Sequence, residues 1–226
     1  MTYQNTRTAT FLSRPNRFIA NVEVGGKVEV THVKNTGRCK ELLIKGAKVV
    51  VQQAANLNRK TKFDLIAVYK GNRLINMDSS APNKAFFQYL QSGGHIQGIT
   101  HIKPEAKWGN SRFDFYVEAG TRKIFIEVKG VTLEKNGVVL FPDAPTERGV
   151  RHLQELQALT TQDYEAQVVF VIQMDDVAYF KPNDQTHPAF GQALREAHKA
   201  GVAVFAFACD VEEDWMKIEE AVEVRL

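Results

Sequence analysis

Cysteine is scarce in this chain: Cys39 and Cys209 are the only two in 226 residues, and they form no close pair. That excludes a disulfide framework and a cysteine zinc site, and two lone thiols suit a reducing compartment. Long hydrophobic runs are also missing. The longest, such as VVFVI at 168–172, are far too short to span a bilayer. The opening stretch MTYQNTRTATFLSRPNRF has no apolar segment followed by a cleavage site, so a soluble, cytoplasmic protein with no membrane partner is expected. No internal repeat or low-complexity segment occurs. No helix-turn-helix pattern is evident either, which argues against strong base-specific readout of DNA.

The remaining composition is that of a globular chain, 44% hydrophobic and 24% charged, enough for one large or two small domains with cores of their own. The net charge of +3 hides an asymmetry. Residues 1–80 carry 14 Lys and Arg against 5 Asp and Glu, whereas residues 81–226 carry 15 against 21. Between positions 34 and 62, Lys34, Arg38, Lys40, Lys45, Lys48, Arg59, Lys60 and Lys62 have only Glu41 as acidic company. Such a concentration suits a polyanion, because each phosphate neutralised releases counterions; a scattered solvated surface is the plain alternative.

Residues 1–80 read as short strands at 17–24, 27–33, 47–53, 63–70 and 73–78, punctuated by turn signals at 25–26, 35–37 and 71–72. Only RCKELL has helical potential. The pattern predicts a small N-terminal five-stranded barrel, either of the OB type, a frequent oligonucleotide platform, or SH3-like. The stretch SSAPNK at 79–84 marks a domain boundary, and the rhythm beyond it changes to mixed helix and strand. Helices are expected at 83–92, from Thr146 and at 188–200. Strands are expected at 112–118, 122–129, 138–141, 166–174 and 201–209. The last two do not alternate, as befits strands buried on both faces and joined by a helical crossover. Residues 81–226 are therefore expected to form an α/β domain with a mixed sheet.

The segment SRFDFYVEAGTRKIFIEVKG at 111–130 reads as a β-hairpin with a type II′ turn at Gly120-Thr121. Pairing Ala119 with Arg122 sets Asp114 across from Glu127, on one face with Lys129, Tyr116 and Arg112. Opposed carboxylates destabilise a sheet unless something rewards them, and a divalent cation does so. Mg²⁺ or Mn²⁺ is typically held by one or two carboxylates plus water and phosphate oxygens, and Lys129 stands where it can orient water or offset charge on a phosphoryl group. A solvent-facing hairpin with a screened ion pair is the competing interpretation. Downstream, Asp143, Pro145 and Thr146 signal a helix start. They bring Arg148 into the first turn, a position suited to a phosphate contact. Arg151 reads as a surface pair with Glu147, and His152 as a packing residue.

The blocks RFIANV, NTGRCKELL, SRFDFYV, IEVKGVTL and FPDAPTERGVRHLQEL, in that order, closely resemble the sugar fermentation stimulation protein family along nearly the whole chain. The resemblance implies an N-terminal OB-like domain (1–80) and a C-terminal PD-(D/E)xK restriction-endonuclease-like α/β domain (81–226), in a bacterial or archaeal cytoplasmic protein. It also implies DNA binding and a regulatory link to sugar metabolism such as maltose use. By position it assigns the first nuclease acid to Asp114, the paired acid and lysine to Glu127 and Lys129, and a further upstream acid to Glu105. The chain departs from the family pattern at Phe113 and Lys34, where proline is usual. Its first helix, APNKAFFQYLQ, carries no acid. The expected function is a DNA-binding protein with an Mg²⁺- or Mn²⁺-dependent nuclease site, with RNA as a further substrate class. The alternative is a non-catalytic DNA-binding regulator that keeps the nuclease fold as a scaffold.

Overall fold

The computed structural model describes residues 1–35, 37–56, 58–109 and 111–226. Thr36, inside the turn predicted at 35–37, lies outside them.

The first unit is built from β1 (Thr6–Asn16), β2 (Ile19–Val24), β3 (Lys27–Val33), β4 (Lys48–Gln53), β5 (Phe63–Lys70) and β6 (Arg73–Asn76), in the order β3-β2-β1-β4-β5-β6. A parallel pairing of Thr31–Val33 with Phe63–Leu65 joins β3 to β5 and closes five strands, β1 to β5, into a barrel. The five-stranded OB barrel expected from the sequence is thus present, with one exchange of members. The fifth strand is Thr6–Asn16, and Arg73–Asn76 extends beyond the barrel. Two register shifts between Phe11 and Asn16 interrupt the alternation of β1, and Pro15 lies within it, which is why a period-two pattern is faint there. RCKELL forms turns and no helix. Cys39 sits at φ +43, and its carbonyl accepts from both Leu42 and Leu43.

The second unit runs α1 (Ala81–Gln91), β7 (Ile99–Trp108), β8 (Ser111–Ala119), β9 (Arg122–Val131), β10 (Leu133–Lys135), β11 (Val138–Phe141), α2 (Glu147–Leu159), β12 (Glu165–Ile172), β13 (Tyr179–Pro182), α3 (Pro188–Lys199), β14 (Ala203–Val211), β15 (Met216–Ala221) and β16 (Glu223–Val224). Its main sheet is mixed, in the order β15-β14-β12-β9-β8-β7, with β9, β12 and β14 parallel. Helical crossovers enter and leave β12, which is buried along nearly its whole length and so reads as a continuous apolar run. α1 covers one face of the sheet, where Ile124, Ile126 and Val128 of β9 pack with Ala85, Phe86 and Leu90. α2 and α3 cover the other, where Phe125 and Phe170 meet Leu153, Leu156, Phe190 and Leu194.

The two units share their cores: Val50, Ile66 and Leu74 of the first pack with the α1 side of the sheet. Polar bonds also cross. The Gln173 side chain donates to Asn76 Oδ1 and to the Asp78 carbonyl, and the Asn76 amide donates to the Gln173 carbonyl, at 2.9–3.1 Å. Among the described residues no helix is long and apolar enough to cross a membrane.

Candidate metal centre and nucleic-acid surface

The hairpin β8–β9 turns at Gly120, whose φ of +62 suits the first central position of the predicted type II′ turn. The predicted register holds from Ala119–Arg122 to Phe115–Ile126. Beyond that pair the regular ladder ends and strict alternation breaks. Phe113 joins the α2 side beside Phe125 and His152, while Asp114 meets the α1 layer. There Asp114 Oδ2 accepts the Val128 amide at 2.7 Å and Oδ1 accepts Asn83 Nδ2 at 2.6 Å. The side chain of Asp114 thus takes over the acceptor role that a backbone carbonyl would fill, and the simple cross-strand pair expected from the sequence is replaced by this bridge. Asn83 belongs to the helix that carries no acid; its amide supports the site acid instead.

Glu127 is only 4% exposed, so the solvent-facing interpretation of KIFIEVKG is wrong. Its Oε1 accepts from Lys129 Nζ and lies 2.5 Å from His152 Nδ1, while Oε2 is buried without a partner. His152 sits on the inner face of α2, whose start is fixed by the Thr146 hydroxyl accepting the Gly149 amide at 3.1 Å. Arg148 Nε donates to His152 Nε2 at 3.3 Å. A guanidinium only donates, so Nε2 must accept, and the ring proton lies on Nδ1, aimed at Glu127. His152 therefore does more than pack, and Arg148, itself exposed, gives its Nε to that histidine. The helical spacing of four between them was the available signal. Replacing His152 by Ala should cost about 1–3 kcal/mol in chemical denaturation, because a buried charged acceptor loses one of its two donors.

The electrostatics follow the geometry. Burial first, then the charge of Glu127, lifts the Asp114 carboxyl above the usual range, against the Val128 and Asn83 bonds and Lys129. Burial also pushes Glu127 up, but the His152 bond and Lys129 together outweigh it and hold this carboxyl below its usual range. One shared site drives the two carboxyls apart, as neighbouring like charges do.

Glu105 does not join them. It lies on β7 at φ +49, with its side chain 74% exposed and 3.1 Å from Arg112. The left-handed backbone turns the side chain away from where regular alternation would place it. Among the described residues no group of three or more His, Cys, Asp or Glu side chains is arranged to hold a metal. Tyr116 donates to Glu118, and Arg151 is exposed.

The basic residues divide in two. Arg59 grips the buried Asp64 through both terminal guanidinium nitrogens, at 2.7 and 3.0 Å, and Lys34 lies 3.5 Å from Asp64 and from Asp78. Lys48 pairs with Glu213 of the second unit, and Lys62 with Glu29. The acidic partners lie outside the 34–62 stretch, so a local charge count misses them. Arg38, Lys45 and Lys60 are exposed and form no ion pair among the described residues. Burial raises Asp64, yet Arg59, Lys34 and His32 together hold it below the usual carboxylate range. Its contribution to stability is present above the unfolded pKa of about 3.9 and is lost as pH falls through the folded value. In Arg59→Ala the folded value rises, so acid unfolding followed by circular dichroism should begin at higher pH. A loss of about 1–2 kcal/mol is expected at neutral pH.

Two family models match the chain: "SfsA N-terminal OB domain" over residues 12–77 and "Sugar fermentation stimulation protein RE domain" over residues 80–215. Proteins named "Sugar fermentation stimulation protein homolog" are 60% identical in Desulfitobacterium hafniense (strain Y51) and 56% identical in Clostridium beijerinckii. Each comparison spans 226 residues, 100% of this chain, and 99% and 100% of those proteins. A solved structure described as Pyrococcus furiosus SfsA in complex with Ca²⁺ is similar at a TM-score of 0.91 and 28% identity, covering 100% of this chain and 98% of that one.

Proposed function

The chain belongs to the sugar fermentation stimulation protein family, and from that premise we propose that it is a nucleic-acid-binding protein whose second unit cleaves phosphodiesters with a divalent cation. One observation carries the reading: Glu127 Oε2 is buried without a partner, on a carboxylate electrostatically coupled to Asp114 and bonded to Lys129. A sheet has no structural use for that combination, whereas a cation bound by both acids would satisfy the orphaned oxygen and relieve the like-charge repulsion.

The donor set fits Mg²⁺ or Mn²⁺, since two carboxylates with water and phosphate oxygens completing the shell is the usual provision for such hard ions. The relative solved with Ca²⁺ supports divalent-cation binding in the family, which we extend to Asp114 and Glu127. When bound, the ion would lower the pKa of an attacking water and offset charge on the phosphoryl oxygens. The chain's own residues do the positioning. Asn83 and the Val128 amide fix the Asp114 carboxylate, while His152 and Lys129 fix Glu127 by its Oε1 and leave Oε2 open. Lys129 adds positive charge beside the site for the phosphoryl oxygens as their charge grows. Glu105 enters this reading only as a surface acid.

The test is incubation of duplex DNA, single-stranded DNA and RNA with Mg²⁺, Mn²⁺ or EDTA. Cation-dependent cutting of any of them supports the reading. Binding without cutting under every cation would instead favour the regulator of sugar-metabolism genes that the relatives' name suggests, with the nuclease fold as its scaffold.

A further inference from the structure

Part of the basic charge gathers on a cleft that the carboxylate site does not use. Between the β1–β2 turn and the loop after β3 lies a cleft of about 420 Å³, lined by Arg14, Asn16, Arg17, Arg38, Lys40 and Leu43, with Gly37 at one end. None of its lining residues is acidic. Arg14 braces it, donating to the carbonyls of Arg38, Asn35 and Arg17 at 2.6, 2.7 and 2.8 Å, while its Nε is buried without a partner. This fixes the loop backbone that presents Arg38 and Lys40.

Beside Arg17 stands Phe18, 45% exposed, with the Arg17 guanidinium 4.7 Å from its ring centre. Gly37 also lines a second cavity, of about 170 Å³, between the two units, and the wall of that cavity includes Gly130, the residue after Lys129. Aromatic ring, basic cleft and inter-unit cavity therefore follow one another in a path that reaches β9 one residue beyond Lys129. Asp143 lines the inner cavity, where it suits a base N–H or a sugar hydroxyl rather than a phosphate.

We infer that this path is a track for single-stranded nucleic acid, with phosphates on Arg17, Arg38 and Lys40 and a base stacked on Phe18. An exposed ring beside a groove of cations is how single strands are held, because every base has a face to stack. A duplex keeps those faces internal. The inference deepens the proposed function, resting on that reading only for what lies at the end of the track.

Fluorescence anisotropy in EDTA, with labelled oligo-dT, oligo-U and a duplex of equal length, tests it. Single strands should bind more tightly than duplex, and the dT and U arms show whether the sugar is read. Phe18→Ala should weaken single-strand binding about 10-fold, with Phe18→Tyr restoring it. Arg38→Ala and Lys40→Ala should each flatten the salt dependence by about 0.7 in log–log slope. Equal affinity for duplex, or unchanged affinity in Phe18→Ala, overturns the inference. EDTA separates this from cleavage: binding through Phe18 in a protein that never cuts would sink the nuclease reading alone. Cutting by a protein whose binding ignores Phe18 would sink the track alone.

Discussion

Asp114→Asn and Lys129→Ala are each expected to lower cation-dependent cleavage by about 10²–10³-fold or more, with the fold retained. Asparagine keeps the size of Asp114 and still offers one acceptor to the Val128 amide. Its new NH₂ group would face Asn83, whose amide can rotate to accept, so the structural cost is small. What is lost is the negative charge that the proposed cation would need from Asp114. Lys129→Ala removes a donor from Glu127 Oε1 but leaves His152 in place, so Glu127 remains anchored while the charge offered to the phosphoryl oxygens disappears. Circular dichroism and anisotropy in EDTA should match wild type for both variants. Wild-type cutting rates in both would place the cation elsewhere.

The second large effect concerns stability. Phe170→Ala should cost about 3–5 kcal/mol and lower Tm by on the order of 10 °C in calorimetry. Phe170 is fully buried, stacks on Phe180 at 4.1 Å between ring centres and meets Phe141 at 5.5 Å. It lies opposite Lys129 in the parallel ladder between β12 and β9. The cavity left by truncation would therefore open directly behind the strand that carries Glu127 and Lys129. Phe18→Ala, at an exposed position, should change Tm little by comparison. A fall in Tm of only a degree or two for Phe170→Ala would mean that the layer under α2 and α3 collapses into the space.

The sequence was informative where a single periodicity governs a segment. The run at 166–174 showed itself as a buried strand because both of its faces are covered, and FPDAPTERGV announced the start of α2 by its capping residue, Thr146. β1 was hidden because its bulges and Pro15 break the alternation that identifies a strand. At the site, Glu127 and Lys129 were visible as unexplained charges in an apolar strand. The partners that orient them were not: Asn83 and His152 stand 31 and 25 residues from the acids they bind, and neither distance follows from local pattern. The local charge count of the basic cluster is incomplete for a related reason, since half of its cations meet acids brought in through tertiary folding, Glu213 among them.

Glu105, set aside as a ligand, has another use. The main sheet of the second unit ends at β15, where Met1 bonds to Met216 through both its amino group and its carbonyl, and at β7, whose outer side pairs with no other strand among the described residues. An exposed edge offers unpaired amides and carbonyls to any strand that drifts past, which makes it a seed for aggregation. β7 is a poor template for such growth. Pro104 supplies no amide, Glu105 kinks the backbone into the left-handed region, and the exposed Lys103 and Lys107 place charge on either side. The same irregularity that sets the Glu105 carboxylate apart from Asp114 and Glu127 guards the sheet against pairing with a second copy of itself.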